Sequence, residues 1–136
     1  MERLIFVDSN IWCYYFDRSA QEHNIVSDKL EQVLEGDVAI NTVVEMEVAH
    51  YLIKNLGLEG KRKMDTFLSY PMVVVNFDQY LARKSIEYLA RYSQTGIGGR
   101  DATILASMEE LEINTLMTHD RAFKRLDFIE VIDPVD

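Results

Sequence analysis

Short apolar runs alternate along the chain with longer segments in which apolar residues recur every three or four positions. A short apolar run bounded by polar or turn-forming residues is typical of a buried strand, and the longer spacing is typical of an amphipathic helix. The pattern predicts strands over residues 4–7, 38–40, 72–75, 115–117 and 128–132. It predicts helices from residue 9, over about 20–34, from 41 or 42 to about 55, over about 59–69, around Leu81, Ile86, Leu89 and Tyr92, and over 101–111.

This order of elements predicts an α/β fold. Because short, wholly apolar strands alternate with helices, we expect a central parallel sheet of four or five short strands, covered by helices on both faces in a three-layer sandwich. The 136 residues include only two prolines, Pro71 and Pro134, and no Gly/Ser-rich linker or repeat. The length and the absence of a linker predict a single domain over residues 1–136.

The cellular compartment is indicated by the cysteine count and the apolar pattern. Cys13 has no second cysteine with which to form a disulfide, which fits a reducing compartment. No apolar run is long enough to span a membrane, and the first residues, MERLIFVDSN, lack the pattern of a signal peptide. We therefore expect a cytoplasmic protein with no membrane partner.

Acidic residues follow two of the predicted strands. Asp8 comes directly after the first strand, and Asp120 comes after strand 115–117 and a two-residue turn. Open α/β sheets bind their ligands outside the carboxyl ends of the strands, so both side chains are candidates for one site. The alternative is that each aspartate only caps the segment that follows it, a position that aspartate favours. For either residue alone the two interpretations are equally good.

Asp101 and one of two glutamates are the other acidic candidates. Asp101 aligns with apolar residues at i+4 and i+7, on the helix face that should meet the core, although an acid in the first turn also stabilises a helix through its dipole. In the helix after the second strand, Glu45 falls within the apolar face and Glu47 lies at its edge. The helical wheel favours Glu45, and a simple ion pair with Lys54 is the alternative for either glutamate.

Carboxylates that meet at one edge of a sheet predict a metal site. Without a cation they repel one another, and at least one of them should keep its proton. A hard cation such as Mg²⁺ or Mn²⁺ removes that cost and prefers oxygen ligands. Such an ion can lower the pKa of a bound water and stabilise negative charge that develops in a reaction.

Four stretches, in this order, resemble the signature stretches of PIN domains: LIFVDSNIW, EVAHYL, GGRDATILA and THDRAF. They extend over essentially the whole chain at spacings similar to those of the family. The resemblance implies a PIN fold and divalent-metal endoribonuclease activity and, in small prokaryotic members, service as the VapC toxin of a toxin–antitoxin pair. In the family a Val/Leu-Ala-rich helix follows the second acid, as Val48-Ala49 follows Glu47. The second acidic role therefore goes to Glu47, with Glu45 in reserve.

The resemblance also implies roles for individual residues and partners. The implied catalytic and metal-binding set consists of Asp8, Glu47, Asp101 and Asp120. We expect Asp8 and Asp101 to be the central ligands of Mg²⁺ or Mn²⁺, while the other two acids complete the shell or hold water. The hydroxyls of Ser9 and Thr118 would orient the carboxylates. The implied partners are an RNA substrate, an antitoxin protein and a second copy of the chain in a homodimer.

The net charge of −9 keeps a second interpretation open. Surfaces that bind phosphates are usually basic, so this charge counts against RNA binding. Two features weaken the objection: a carboxylate site itself adds to the acidic count, and the basic residues cluster at 61–63, 83–84 and 121–125. A non-catalytic interaction or scaffold module that keeps the PIN fold is therefore the alternative function. A phosphatase that uses Asp8 as its nucleophile is disfavoured, because Asn10 stands where such enzymes usually have a second acid.

Two residues near the candidate acids have plainer interpretations. His119 is expected to be a turn histidine that faces solvent. Cys13 is expected to be a small buried residue, because no histidine is placed to activate it as a nucleophile.

Overall fold

The computed structural model describes residues 3–136, and these form a five-stranded sheet with helices on both sides. The strands are β1 (Leu4–Val7), β2 (Asp37–Asn41), β3 (Val73–Val75), β4 (Thr115–Met117) and β5 (Glu130–Ile132). The helices are α1 (Ser9–Phe16), α2 (His23–Val33), α3 (Thr42–Leu56), α4 (Leu58–Leu68), α5 (Gln79–Tyr92) and α6 (Gly99–Glu110), followed by a 3₁₀ turn at Arg121–Arg125. The predicted α/β sandwich with a parallel sheet is confirmed.

The strand order places β1 and β4 side by side. All neighbouring pairs are parallel, and the order across the sheet is β3-β2-β1-β4-β5. The chain therefore builds the sheet outward from β1 in one direction and then crosses back to add β4 on the other side. Such a reversal opens a crevice at the carboxyl ends of the two strands, which is where α/β proteins bind ligands.

The core lies on both faces of the central strands. Phe6 and Val7 of β1 and Trp12 of α1 are fully buried in one continuous apolar cluster. The Trp12 ring packs against Phe67 of α4 at a centroid distance of 4.7 Å, and its Nε1 donates a hydrogen bond to the Val7 carbonyl at 3.2 Å. This packing holds α1, and with it the residues that follow β1, in a defined position. Within residues 3–136 no helix combines the length and the apolar character needed to cross a membrane.

Strand β3 and helix α5 depart from the expected burial. Val73 and Val74 were expected in a strand covered on both faces, but they are 41% and 39% exposed because β3 is an edge strand. Ile86 was expected on the apolar face of α5, yet it is exposed, and the polar residue Ser85 is buried in that helix. The sheet is flanked by helices as expected, but the cover is incomplete at the edge strand β3.

A buried asparagine connects the end of β2 to α6. Asn41 has no exposed surface, and its Oδ1 accepts the backbone N–H of Val44 at 2.8 Å, which caps α3. Its Nδ2 donates to the Ser107 hydroxyl at 3.0 Å and to the Thr103 carbonyl at 3.3 Å. A buried amide whose hydrogen bonds are satisfied favours one arrangement of the elements that it joins. Asn41 thus fixes α6, and the acid at its N-terminus, relative to α3.

A glycine in α4 allows the close approach of α3 and α4. A Cβ atom added at Gly60 would overlap the carbonyl of Leu52 in α3, whereas a Cβ at Gly99 would meet nothing within 4 Å. We expect Gly60→Ala to lower the free energy of unfolding by about 2 kcal/mol, because the overlap outweighs the gain in helix propensity. Gly99→Ala is the matched control, with a change of at most about 0.5 kcal/mol. Urea unfolding of both variants is the measurement, and a Gly60→Ala protein as stable as the wild type would contradict the close contact.

Candidate active site

Asp8 lies at the carboxyl end of the central strand, next to the end of β4. Phe6 and Val7 pair with Leu116 and Met117, and the backbone N–H of Asp8 donates to the Met117 carbonyl at 2.9 Å. Residues that follow β1 and β4 therefore meet at one edge of the sheet. Strands β1 and β4, which precede Asp8 and Asp120, are neighbours in the sheet. This adjacency is needed if the two acids are to share one site.

The Asp8 carboxylate is completely buried and held by neighbouring donors. Its Oδ1 accepts the backbone N–H of Ser9 at 2.6 Å, with the Ser9 hydroxyl at 3.4 Å, and its Oδ2 accepts the Thr118 hydroxyl at 2.7 Å. Hydrogen bonds to a buried carboxylate offset part of the cost of removing it from water. The hydroxyls of Ser9 and Thr118 thus contact the Asp8 carboxylate, and their orienting role stays a prediction.

The guanidinium group of Arg100 lies between three carboxylates that come from different elements. Its Nη2 is 3.1 Å from Asp8 Oδ1, its Nε is 2.8 Å from Glu47 Oε2, and its Nη1 is 3.6 Å from Asp101 Oδ1. Burial acts to lower the pKa of Arg100, but the carboxylates of Asp8, Glu47 and Asp101 outweigh it and hold that pKa above its ordinary value. Arg100 is therefore a permanent positive charge inside the acidic cluster.

Asp101 lies at the first turn of α6, and its side chain has two kinds of contact. Its Oδ2 accepts the backbone N–H of Gly98 at 3.1 Å, and its Oδ1 faces Arg100. Burial raises the pKa of Asp101, the Gly98 hydrogen bond and Arg100 act in the opposite direction, and the charges of Asp120 and Asp8 raise it further. The helix-terminal contact and the inward-facing contact, which the sequence left as alternatives, therefore coexist.

Asp120 lies at the edge of the same cluster. Its Oδ1 accepts the backbone N–H of Ala122 at 2.9 Å, and its own N–H donates to the Thr118 hydroxyl at 3.0 Å. Among the described residues it has no ion pair, although its charge acts on both Asp101 and Arg100. The capping contact predicted for Asp120 is present, and its carboxylate stands near the other acids without touching the guanidinium.

Of the two competing glutamates, Glu47 is the one that reaches the cluster. Its carboxylate pairs with Arg100, while Glu45 is half-buried and has no ion pair or side-chain hydrogen bond within residues 3–136. Burial, opposed by the Arg100 guanidinium and assisted by the Asp8 carboxylate, raises the pKa of Glu47. The helical wheel favoured Glu45, whereas the structure brings Glu47 to Arg100. The acidic cluster lies beside the edge of the apolar face of α3, where Glu47 is located.

Arg100 is the member of the site that the sequence interpretation did not single out. It is the second residue of α6, where the positive end of the helix dipole disfavours a cation. A basic residue in the first turn, directly before the candidate acid Asp101, is the sequence signal that could have identified it. A basic residue at this position lowers the stability of its own helix, so its presence there indicates that it pairs with acidic neighbours.

The donor set is suited to a hard divalent cation, although the acids are not arranged around an ion. Within residues 3–136, no group of three or more Asp, Glu, His or Cys side chains stands ready to hold a metal. The acids offer carboxylate oxygens, which Mg²⁺ and Mn²⁺ prefer. Glu47 Oε1 is also buried without a hydrogen-bond partner among these residues. The residue types fit a hard cation, and Arg100 occupies the space between them.

Two expectations about the surroundings of the acids have different outcomes. His119 does not simply face solvent: its Nδ1 lies 3.1 Å from the carboxylate of Asp133, whose side chain is 5% exposed and which Lys124 also contacts at 2.7 Å. Cys13 is buried as expected, and burial, together with the charges of Glu47 and Asp8, raises the pKa of its thiol to about 12. A thiol with so high a pKa is not a nucleophile at neutral pH.

The parallel sheet, the strand order and the acids at the carboxyl ends of β1 and β4 define a class of α/β proteins with an acidic site at a topological switch point. Residues 5–129 match the family model of the PIN domain. The chain belongs to the PIN domain family, as its four sequence stretches predicted. No curated protein sequence matches the chain closely enough to name a relative.

Several solved structures share the fold over nearly their whole length. VapC20 from Mycobacterium tuberculosis, a Sarcin-Ricin loop cleaving toxin, has a TM-score of 0.79 at 23% identity, with 93% of this chain and 98% of that chain covered. VapBC2 from Rickettsia felis, bound to a promoter DNA fragment, has a TM-score of 0.73 at 21% identity, covering 96% and 98%. FitAcB from Neisseria gonorrhoeae has a TM-score of 0.69 at 20% identity, covering 96% and 97%. At these identities the likeness is one of fold.

Proposed function

We propose that the chain is a divalent-metal-dependent endoribonuclease, a single PIN nuclease domain that hydrolyses phosphodiester bonds of RNA. The observation that carries this proposal is the meeting of Asp8, Glu47 and Asp101 around one cationic group, with Asp120 beside them. These acids come from parts of the chain that are far apart in sequence. Helix capping alone does not explain why acids from distant parts of the chain meet at the ligand-binding edge of the sheet, since a cap needs only one carboxylate.

The residues would divide the work of binding Mg²⁺ or Mn²⁺ and orienting water. Asp8 and Asp101 are the proposed central ligands, because they lie on either side of the guanidinium at the crevice. Glu47 and Asp120 would complete the shell or hold the attacking water. The chemistry that these residues would gain from a bound divalent cation is a lowered pKa of water and stabilisation of charge on the phosphate. Ser9 and Thr118 keep the Asp8 carboxylate oriented throughout.

The proposed biological setting is a toxin–antitoxin pair of the VapBC type. Three structural neighbours are VapBC2 from Rickettsia felis, a DNA-bound VapBC from Salmonella typhimurium and a toxin-antitoxin complex from Klebsiella pneumoniae. These complexes support an antitoxin protein as a partner for this chain. A homodimer and a cytoplasmic location belong to the same proposal. The net charge of −9 is compatible with a partner that supplies the basic surface.

Cleavage of a panel of structured RNAs by the purified protein tests the proposed activity. With Mn²⁺ or Mg²⁺ we expect cleavage at discrete sites, and with excess EDTA we expect none above background, because the carboxylates alone cannot stabilise the charge of the reacting phosphate. Excess Mn²⁺ added after EDTA should restore cleavage. Cleavage that persists unchanged in EDTA would contradict the metal requirement.

The second candidate function is a non-catalytic interaction module with a PIN fold. The ion pairs of Arg100 favour it, because they satisfy the acids without a metal. The same RNA panel separates the two functions when Asp101→Asn is assayed in parallel. Cleavage lost in Asp101→Asn supports the nuclease, whereas equal absence of cleavage in both proteins supports the module.

A further inference from the structure

Arg100 has the position and the charge of a bound cation. Its guanidinium contacts Asp8, Glu47 and Asp101 through three different nitrogens, and its side chain is only 30% exposed. We propose that Arg100 is a built-in counter-cation that competes with the divalent metal for these carboxylates, so that the metal binds only after Arg100 has left the cluster. This inference rests on the proposed metal-dependent function and concerns the control of metal binding at that site.

The two cations cannot share the site. A Mg²⁺ or Mn²⁺ ion requires its oxygen ligands at about 2.0–2.2 Å, which brings the oxygens of different carboxylates close together. The guanidinium now lies between those carboxylates. Within residues 3–136, no three Asp, Glu, His or Cys side chains are close enough together to hold a metal ion. A dication placed beside the guanidinium would also be repelled by it. Metal binding therefore requires Arg100 to move and the acids to close in.

The present contacts of Arg100 are incomplete, which makes the group displaceable. Nη1 is buried without a hydrogen bond, since its distance of 3.6 Å to Asp101 exceeds hydrogen-bonding range. Buried polar atoms without partners cost free energy, so the paired state is less favourable than its ion pairs suggest. A dication also neutralises more of the acidic charge than a guanidinium does.

The placement of Arg100 in α6 supports a role at the acids rather than in the helix. A cation in the first turn is unfavourable for the helix dipole. Because Arg100 is covalently attached next to Asp101, it is present at a high effective concentration and competes at every metal concentration. Its pairing stabilises the metal-free protein, and by linkage the same pairing weakens metal affinity.

Isothermal titration calorimetry with Mn²⁺, on the wild type and on Arg100→Gln, tests the competition. We expect the Kd for Mn²⁺ to fall at least about tenfold in Arg100→Gln, because the binding-competent state no longer has to exclude the guanidinium. Thermal unfolding in EDTA should show a lower Tm for this variant, and Mn²⁺ should raise its Tm more than it raises that of the wild type. A merely structural role would lower the Tm without tightening Mn²⁺ binding.

Matched variants make each outcome decisive. Arg83→Gln, an exposed arginine of α5, should leave the Kd and both Tm values unchanged. Arg100→Lys keeps one positive charge but loses the planar fork, and should bind Mn²⁺ with intermediate affinity even if Arg100→Gln does not fold. An unchanged or weaker Mn²⁺ affinity in the Arg100 variants would overturn the inference alone. No Mn²⁺ binding by the wild type or by either Arg100 variant would overturn the inference together with the proposed metal site.

Discussion

Asp8→Asn is expected to abolish RNA cleavage, lowering the rate at least about a thousandfold, because loss of a central ligand removes several kcal/mol of stabilisation of the reacting phosphate. Asp8 is the most buried of the four acids and stands between Ser9, Thr118 and Arg100. Asparagine keeps the shape of the side chain: its carbonyl oxygen can accept the Ser9 N–H, and its NH2 group can donate to the Thr118 hydroxyl in place of the bond that Asp8 Oδ2 accepts. The measurement is the single-turnover rate on the RNA that the wild type cleaves best, in the presence of Mn²⁺.

The control for Asp8→Asn is Asp37→Asn, at the opposite end of the sheet. Asp37 begins β2 and is exposed, so its loss should leave cleavage unchanged. Circular dichroism and thermal unfolding should show that Asp8→Asn retains the fold. Cleavage at the wild-type rate by Asp8→Asn would refute its role as a ligand.

The stability of Asp8→Asn is a point at which the structure changes the expectation. Repulsion between acids, considered from the sequence alone, predicts that removing one charge stabilises the protein. Asp8 is, however, paired with Arg100 at 3.1 Å. In Asp8→Asn the buried guanidinium of Arg100 loses one of its negatively charged partners, which costs free energy. We therefore expect that the Tm of this variant, measured without metal, is not higher than that of the wild type.

Glu47→Gln is expected to lower the cleavage rate by roughly a hundredfold, as is typical when one preorganised polar group of an active site is lost. Glutamine preserves the length of the side chain but not the charge that completes the metal shell or holds water. Glu45→Gln is the matched control on the same helix, and it should retain nearly the full rate because Glu45 does not reach the cluster. Single-turnover rates of both variants with Mn²⁺ provide the comparison.

The reverse order of the two rates would transfer the role to Glu45. Equal, full activity of both variants would remove the glutamate from the site and leave the three aspartates as its acids.

The sequence by itself determined the elements, the parallel sheet and the strand ends at which the acids lie. Strand β4 was predicted at residues 115–117 and occupies Thr115–Met117. A short apolar run between polar residues is too short for a helix and is typical of a buried strand. The positions of Asp8 and Asp120 follow from the same local pattern, since a residue directly after a parallel strand must lie at its carboxyl end. The resemblance to PIN domains then selected Glu47, which the helical wheel alone had not.

Only the tertiary structure decided which charges meet. Arg100 and Asp8 are separated by 92 positions, and no periodicity relates two residues at such a distance. The exposure of β3 depended on its place at the edge of the sheet, and the pairing of His119 with Asp133 depended on the return of the chain past β5. The physical reason is that the hydrophobic pattern indicates which face of each element is buried, element by element. Ion pairs between distant residues depend on how those elements pack against one another, which the pattern does not indicate.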